Sequence, residues 1–183
     1  MSDERDIDKA TDLVNKGLDL FKEGKVEEAF LCLDKALEMD PKNVDFWNTK
    51  GMLLFQLHRF KESIKCWDNA LEIDSHNKNT WQMKAVSHYK LCQLLEAIKC
   101  FEKVIEADSG DASAWAYKGS AHFELHQLQE ALACYDKATS LEPDNPKSWD
   151  NKGVILERLG RLEEAKVCFD KAEEIWHEES ELI

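Results

Sequence analysis

The chain has 183 residues, 43% hydrophobic and 33% charged, with a formal net charge of −13. An acidic balance of this size lacks the basic footprint that nucleic acid or an anionic membrane surface requires, and its apolar runs fall far short of the ~20 residues that span a bilayer. Only 7 Gly and 3 Pro occur, while Ala, Leu, Lys and Glu dominate, a composition for helices rather than for sheets.

Residues 1–9 are charged and carry no apolar h-region, so no secretory signal is visible and a cytoplasmic location is expected. They read as a disordered or frayed lead-in. From Ala10 one skeleton returns every 34 residues: Trp47, Trp81, Trp115 and Trp149 share a period, with Leu13 in that slot one period earlier. A strict period of this size marks a stacked repeat protein rather than a single core. Five repeats follow, 10–43, 44–77, 78–111, 112–145 and 146–179, and residues 180–183 form a tail.

Two helices are predicted in each repeat, at about positions 2–14 and 18–31. In the first, positions 1, 4, 8 and 11 recur on one face. Position 8 is Gly17, Gly51, Ala85, Gly119 and Gly153. Glycine costs an isolated helix up to ~1 kcal/mol, so its recurrence predicts that something packs close against it. A Trp fully buried at position 4 would make Trp115→Ala cost ~3–5 kcal/mol. A short turn follows, marked by Gly24 and Gly160 in two repeats.

In the second helix, small residues recur at position 20 (Ala29, Ser63, Ala97, Ala131, Ala165) and at position 27 (Ala36, Ala70, Val104, Ala138, Ala172). Between them stands a large one: Leu33, Trp67, Phe101, Tyr135 or Phe169. Cys32, Cys66, Cys100, Cys134 and Cys168 form a ladder with one rung per repeat. Equivalent helices should lie roughly 8–10 Å apart, whereas a disulfide needs Cα atoms within about 7 Å, so free thiols are expected. Pro41, Pro143 and Pro146 fall where one repeat hands over to the next.

This residue set resembles the tetratricopeptide repeat, with Trp or Leu, Gly or Ala, Ala, an aromatic, Ala and Pro at that family's positions over about 170 of 183 residues. The resemblance implies an all-α fold, an α-solenoid forming a right-handed superhelix of five helix-turn-helix repeats, with the first helices lining its concave side. One departure recurs. Position 7, often Leu in the family, is Lys16, Lys50, Lys84, Lys118 and Lys152, and Asp34, Asp68, Glu102, Asp136 and Asp170 stand eighteen residues after them. These charges should pair across the two helices or with a neighbouring repeat, each exposed pair contributing about 0–1 kcal/mol. Apolar positions 21 and 28 turn polar in the last repeat, at Lys166 and Glu173, as a C-terminal cap should. Ile175, Trp176, Leu182 and Ile183 keep apolar character there, leaving weak self-association open.

Positions 5, 9 and 12 share one helix face. Position 12 gives the aromatic row Phe21, Phe55, Tyr89 and Phe123; position 9 gives Leu18, Met52, Val86 and Ser120; and position 5 gives Val14, Asn48 and Gln82. With Asn79 at position 2, these are the candidate peptide-binding residues. Aromatic and Met side chains on an open face suit a peptide groove; the alternative is filler that packs against the next repeat. The family's carboxylate clamp needs Lys at position 5 and Arg at position 6, and neither is present, so binding of a C-terminal carboxylate by that mechanism is not expected.

His88 and Cys92, with their equivalents His122 and His126, offer four N/S ligands on adjacent helices, an allowed zinc set. Against it, position 11 is Leu in the other repeats, and a histidine there is more simply a core residue with one satisfied nitrogen. There is no Gly-rich phosphate loop, no G-x-S-x-G and no H-E-x-x-H. The sequence therefore reads as a non-enzymatic scaffold without a cofactor, binding a protein or peptide. The runner-up is a self-associating scaffold, and a zinc-binding sensor comes third. The acidic charge permits a basic partner and also serves solubility.

Overall fold

The computed structural model describes residues 2–181, with side chains over 8–178. Met1 of the lead-in and Leu182 and Ile183 of the tail lie outside the described residues. Those described form helices throughout: α1 (Ser2–Lys22), α2 (Val26–Met39), α3 (Val44–Gln56), α4 (Phe60–Ile73), α5 (Lys78–Lys90), α6 (Leu94–Ala107), α7 (Ala112–Glu124), α8 (Leu128–Leu141), α9 (Pro146–Arg158) and α10 (Leu162–Glu181). Residues 2–9, read from sequence as a frayed lead-in, are the opening turns of α1. The chain divides into two compact halves, Met1–Ser87 and His88–Ile183. The first has a core around Ala10, Leu33, Ala36 and Leu53. The second has one around Ala131, Tyr135, Ala138, Ile155 and Leu156.

Local chemistry sets the helix ends. The Asn43 side chain accepts from the backbone N–H of Asp45 and Phe46, Asn77 from Thr80, Asp111 from Ala114 and Asn145 from Ser148. Each thereby caps the first helix of its repeat with an Asx oxygen. The turn inside each repeat passes through the left-handed region at position 15: Gly24 at φ 81°, His58 at 58°, Cys92 at 56°, His126 at 58° and Gly160 at 76°. Three repeats thus place a side chain where glycine is favoured, at roughly 1–2 kcal/mol each.

The close approach anticipated at position 8 is made by position 24 of the same repeat. A Cβ added to Gly51 would lie 2.7 Å from the Trp67 ring, one on Gly119 2.8 Å from Tyr135, and one on Gly153 2.5 Å from Phe169. Where position 24 is Leu33, the leucine would lie at an ordinary 3.4 Å from a Cβ on Gly17. The small residues at positions 20 and 27 are all buried, so the helix backbones meet there while the ring fills the space between. In the last repeat Phe169 is only partly covered and Lys166 and Glu173 are exposed. No further helix covers that end among the described residues; α10 instead runs on to Glu181.

Successive repeats are tied by a seam that the sequence only half disclosed. The position 4 tryptophans are half-buried rather than enclosed. Each indole N–H donates to a carbonyl in the turn before its repeat: Trp47 to Pro41 at 2.9 Å, Trp81 to Ser75 at 2.9 Å, Trp115 to Ser109 at 3.1 Å and Trp149 to Pro143 at 2.9 Å. The position 7 lysines lie over these rings, 5.0 Å from the centroid for Lys84 on Trp81 and 5.1 Å for Lys152 on Trp149. They pair with the acid of the preceding repeat: Lys50 with Asp34, Lys84 with Asp68 at 2.6 Å, Lys118 with Glu102 at 2.8 Å and Lys152 with Asp136 at 2.8 Å. The pairing is therefore between repeats, and the indole's role is a linker bond and a cation platform. The cost of Trp115→Ala falls accordingly to about 1–3 kcal/mol.

Two outcomes follow from this packing. Trp67 is 1% exposed and its indole N–H donates to Ser87 Oγ at 3.2 Å, so the ring cannot retreat from a new methyl. Gly51→Ala should cost about 1–3 kcal/mol in urea unfolding despite the better helix propensity of alanine. Combined with Trp67→Leu, the loss should be less than the sum of the single losses. The second concerns thiols. None of the six cysteines forms a disulfide; five are buried and Cys92 is exposed. Burial pushes the Cys66 and Cys134 thiols from an ordinary 9.0 up to about 11. A thiol reagent should therefore titrate one cysteine rapidly in the folded protein and six in denaturant. Because the folded state holds these protons longer, stability should be full below about pH 9 and fall as pH rises towards 11.

Candidate functional site

The first helices α1, α3, α5, α7 and α9 carry the face singled out by positions 5, 9 and 12. In the N-terminal half, Val14 is 7% exposed and belongs to the core. It is withdrawn from the candidate set, because Ala10 of α1 and residues of α2 and α3 pack with it in that core. Leu18 and Phe21 are half-buried and pack on the same core. Phe55 is half-buried edge-on to Phe60 at 5.2 Å, so this row is filler on its inner edge and open on its outer one. Met52 is the open residue of the face, 39% exposed. Asn48 Oδ1 accepts the Thr80 hydroxyl at 2.9 Å, which ties repeat two to repeat three. Asn79 is exposed, and Gln82 and Val86 are partly exposed.

In the C-terminal half, Tyr89, Ser120 and Phe123 meet residues that spacing alone did not select. Ser120 Oγ shares a hydrogen bond of 2.7 Å with the Tyr135 hydroxyl. Tyr135 was legible only as the large residue of position 24; here its ring fills the gap at Gly119 while its buried hydroxyl bonds Ser120. With Glu124, Asn151, Val154 and Ile155 these residues line a cavity of about 190 Å³. A neighbouring depression of about 270 Å³ shares Ser120, Tyr135 and Asn151 with it and adds Tyr117, Asn145 and Lys147. Tyr117 itself stacks on Phe101 at 5.5 Å and stands edge-on to Tyr89 at 6.3 Å. Burial raises the Tyr135 and Tyr89 hydroxyls above their ordinary values, Glu124 adding to the rise at Tyr89, so both stay protonated donors. Arg158 lies over the Phe123 ring at 5.9 Å.

The zinc candidates separate into two other roles. His88 Nδ1–H donates to Gln93 Oε1 at 2.7 Å, and His122 Nδ1–H to Gln127 Oε1 at 2.7 Å, an arrangement repeated one period apart. Cys92 and His126 are the left-handed turn residues. Among the described residues no three His, Cys, Asp or Glu side chains come together as a metal site. The zinc reading therefore goes no further: the turn points the position 15 side chains outward while the position 11 rings turn to the glutamines. No described helix is long and apolar enough to cross a membrane.

No curated protein matches this sequence. Among solved structures, the chain is similar to a crystal structure of MamA, with 19% identity over 90% of this chain and 96% of that one and a TM-score of 0.85. It is similar to MamA 41-end from Desulfovibrio magneticus RS-1, with 23% identity over 93% and 97% and a TM-score of 0.86. It is also similar to YrrB, described as a TPR protein with an unusual peptide-binding site, with 24% identity over 89% and 84% and a TM-score of 0.76. Tetratricopeptide repeat family models match residues 13–43, 32–65, 79–111, 112–145 and 134–167. With the 34-residue period, the position 8 and 24 fit and the ten helices already described, these matches place the chain in the tetratricopeptide repeat family, an all-α solenoid.

Proposed function

We propose that the chain is a non-enzymatic scaffold that takes a peptide or helix of a partner protein on the face of its first helices. The observation that carries this reading is the half-open row at positions 9 and 12. Met52 is exposed and Phe55 presents an outer edge, and in the C-terminal half Tyr89, Ser120 and Phe123 border a cavity instead of a filled core. Rigid aromatic side chains anchored on their inner edges offer contact area at little cost in conformational freedom. The amide of Gln82, the exposed Asn79 and the hydroxyl of Ser120 supply hydrogen bonds that orient a bound backbone. The carboxylate clamp residues are missing, so the partner is held along its length and not by its C-terminal carboxylate. The peptide-binding site named for YrrB is consistent with this use of the fold.

A second reading, self-association, draws on the C-terminal helix. Leu162, Val167 and Trp176 are 58%, 66% and 45% exposed on α10, apolar surface that association would remove from water. Solution mass across a concentration series tests it: a mass constant at the monomer value removes this reading.

The binding reading is tested with a peptide selected against the folded protein from a displayed library. Met52→Asp places a charge on the open face without touching the core. It should weaken that peptide roughly tenfold or more, with the far-ultraviolet helical signal unchanged. Unaltered affinity for Met52→Asp and for Phe123→Leu alike would remove the first-helix face from consideration.

A further inference from the structure

We infer that the cavity bordered by α5, α7, α8 and α9 receives a lysine or arginine side chain from a basic segment of the partner. The inference rests on the first-helix face being the binding surface and adds the chemistry of what that face selects. The rings of Tyr89 and Phe123, from α5 and α7, line the cavity together with the almost fully buried Tyr135 of α8, and Glu124 is the one charged residue in its lining. Aromatic faces carry negative potential and attract a cation within about 6 Å of the centroid. A carboxylate at the rim adds to that attraction and repels an anion.

A second observation shows a cation already drawn to this wall. The Arg158 guanidinium lies 5.9 Å from the Phe123 centroid although it stands on α9. It marks that ring as a cation platform, and it competes with any incoming cation. The size is right for one side chain: about 190 Å³ is below the roughly 300 Å³ at which small-molecule sites begin. The polar groups fit as well. Ser120 Oγ and the Asn151 side chain line the cavity and would be cut off from water by a purely apolar side chain. A guanidinium or ammonium would donate to their oxygens instead. Glu124 also helps to hold the Tyr89 hydroxyl protonated, which places its charge beside that ring. The wider field agrees, since residues 88–183 carry 20 Asp and Glu against 11 Lys and Arg, which speeds the approach of a basic partner.

The test uses the full chain, labelled with ¹⁵N, and two blocked tripeptides, acetyl-Ala-Arg-Ala-amide and its norleucine counterpart. The arginine peptide should produce saturable shifts at the amides of Ser120, Glu124 and Asn151. The norleucine peptide should bind there roughly fivefold more weakly or worse. Glu124→Gln, an exposed position, should reduce the arginine peptide's affinity roughly two- to fivefold and flatten its dependence on salt. Arg158→Gln should increase the affinity, because the internal competitor is gone. Equal affinity for the two peptides, or no saturable shift at these amides in the folded protein, overturns the assignment. If the library-selected peptide still depends on Met52 in that case, the first-helix face stands and only the cation pocket falls. If it does not, both fall.

Discussion

The structure depends on one steric arrangement, repeated: a residue with little or no side chain at position 8 of the first helix faces a large one at position 24 of the second. Gly51 admits Trp67, Gly119 admits Tyr135 and Gly153 admits Phe169, each so closely that a methyl group has no room. The fully buried alanines at positions 20 and 27 let the helix axes come near enough for that ring to be needed. Helix pairs so locked present alike faces at each step, and every other feature follows from that regularity.

The seam between repeats is built from polar chemistry laid over this apolar lock. An indole N–H holds the carbonyl of the preceding turn, an Asx side chain caps the helix start, and a lysine lies between the indole face and the acid of the repeat before. Each element alone is a modest, partly solvated interaction. Together they fix the linker geometry with side chains that need no burial. Half-buried Trp therefore recurs where a smaller apolar residue would pack but could not bond.

The candidate binding face arises where the same scheme leaves the first helix uncovered. Its inner edge is spent on the lock and its outer edge stays in solvent, which keeps Phe55 and Phe123 half-buried and Met52 open. The C-terminal half differs because its position 24 residue is tyrosine. The ring serves the lock at Gly119 and the buried hydroxyl bonds Ser120. One residue thus belongs to the core by its ring and to the candidate site by its oxygen. The fold supplies the placement, and the proposed selectivity rests on the side-chain chemistry.

The period, the helix pair, the small and large columns, the unbridged cysteine ladder and the polar last repeat were all legible in the chain. Each is a residue type recurring at a fixed step, and recurrence reports packing directly. The lysine and acid columns were visible too, but whether they met within a repeat or across the seam was not, because spacing along the chain does not say which neighbour is nearer. Tertiary structure alone decided that Val14 is enclosed, that the tryptophans are half-open, that Asn48 is engaged by Thr80, and that His88 and His122 turn to glutamines instead of to one another. It also decided that Tyr135 reaches the cavity. Helical periodicity specifies the side of a helix on which a residue stands; how far its side chain extends, and what covers it, depends on the neighbouring helices, and those are distant in sequence.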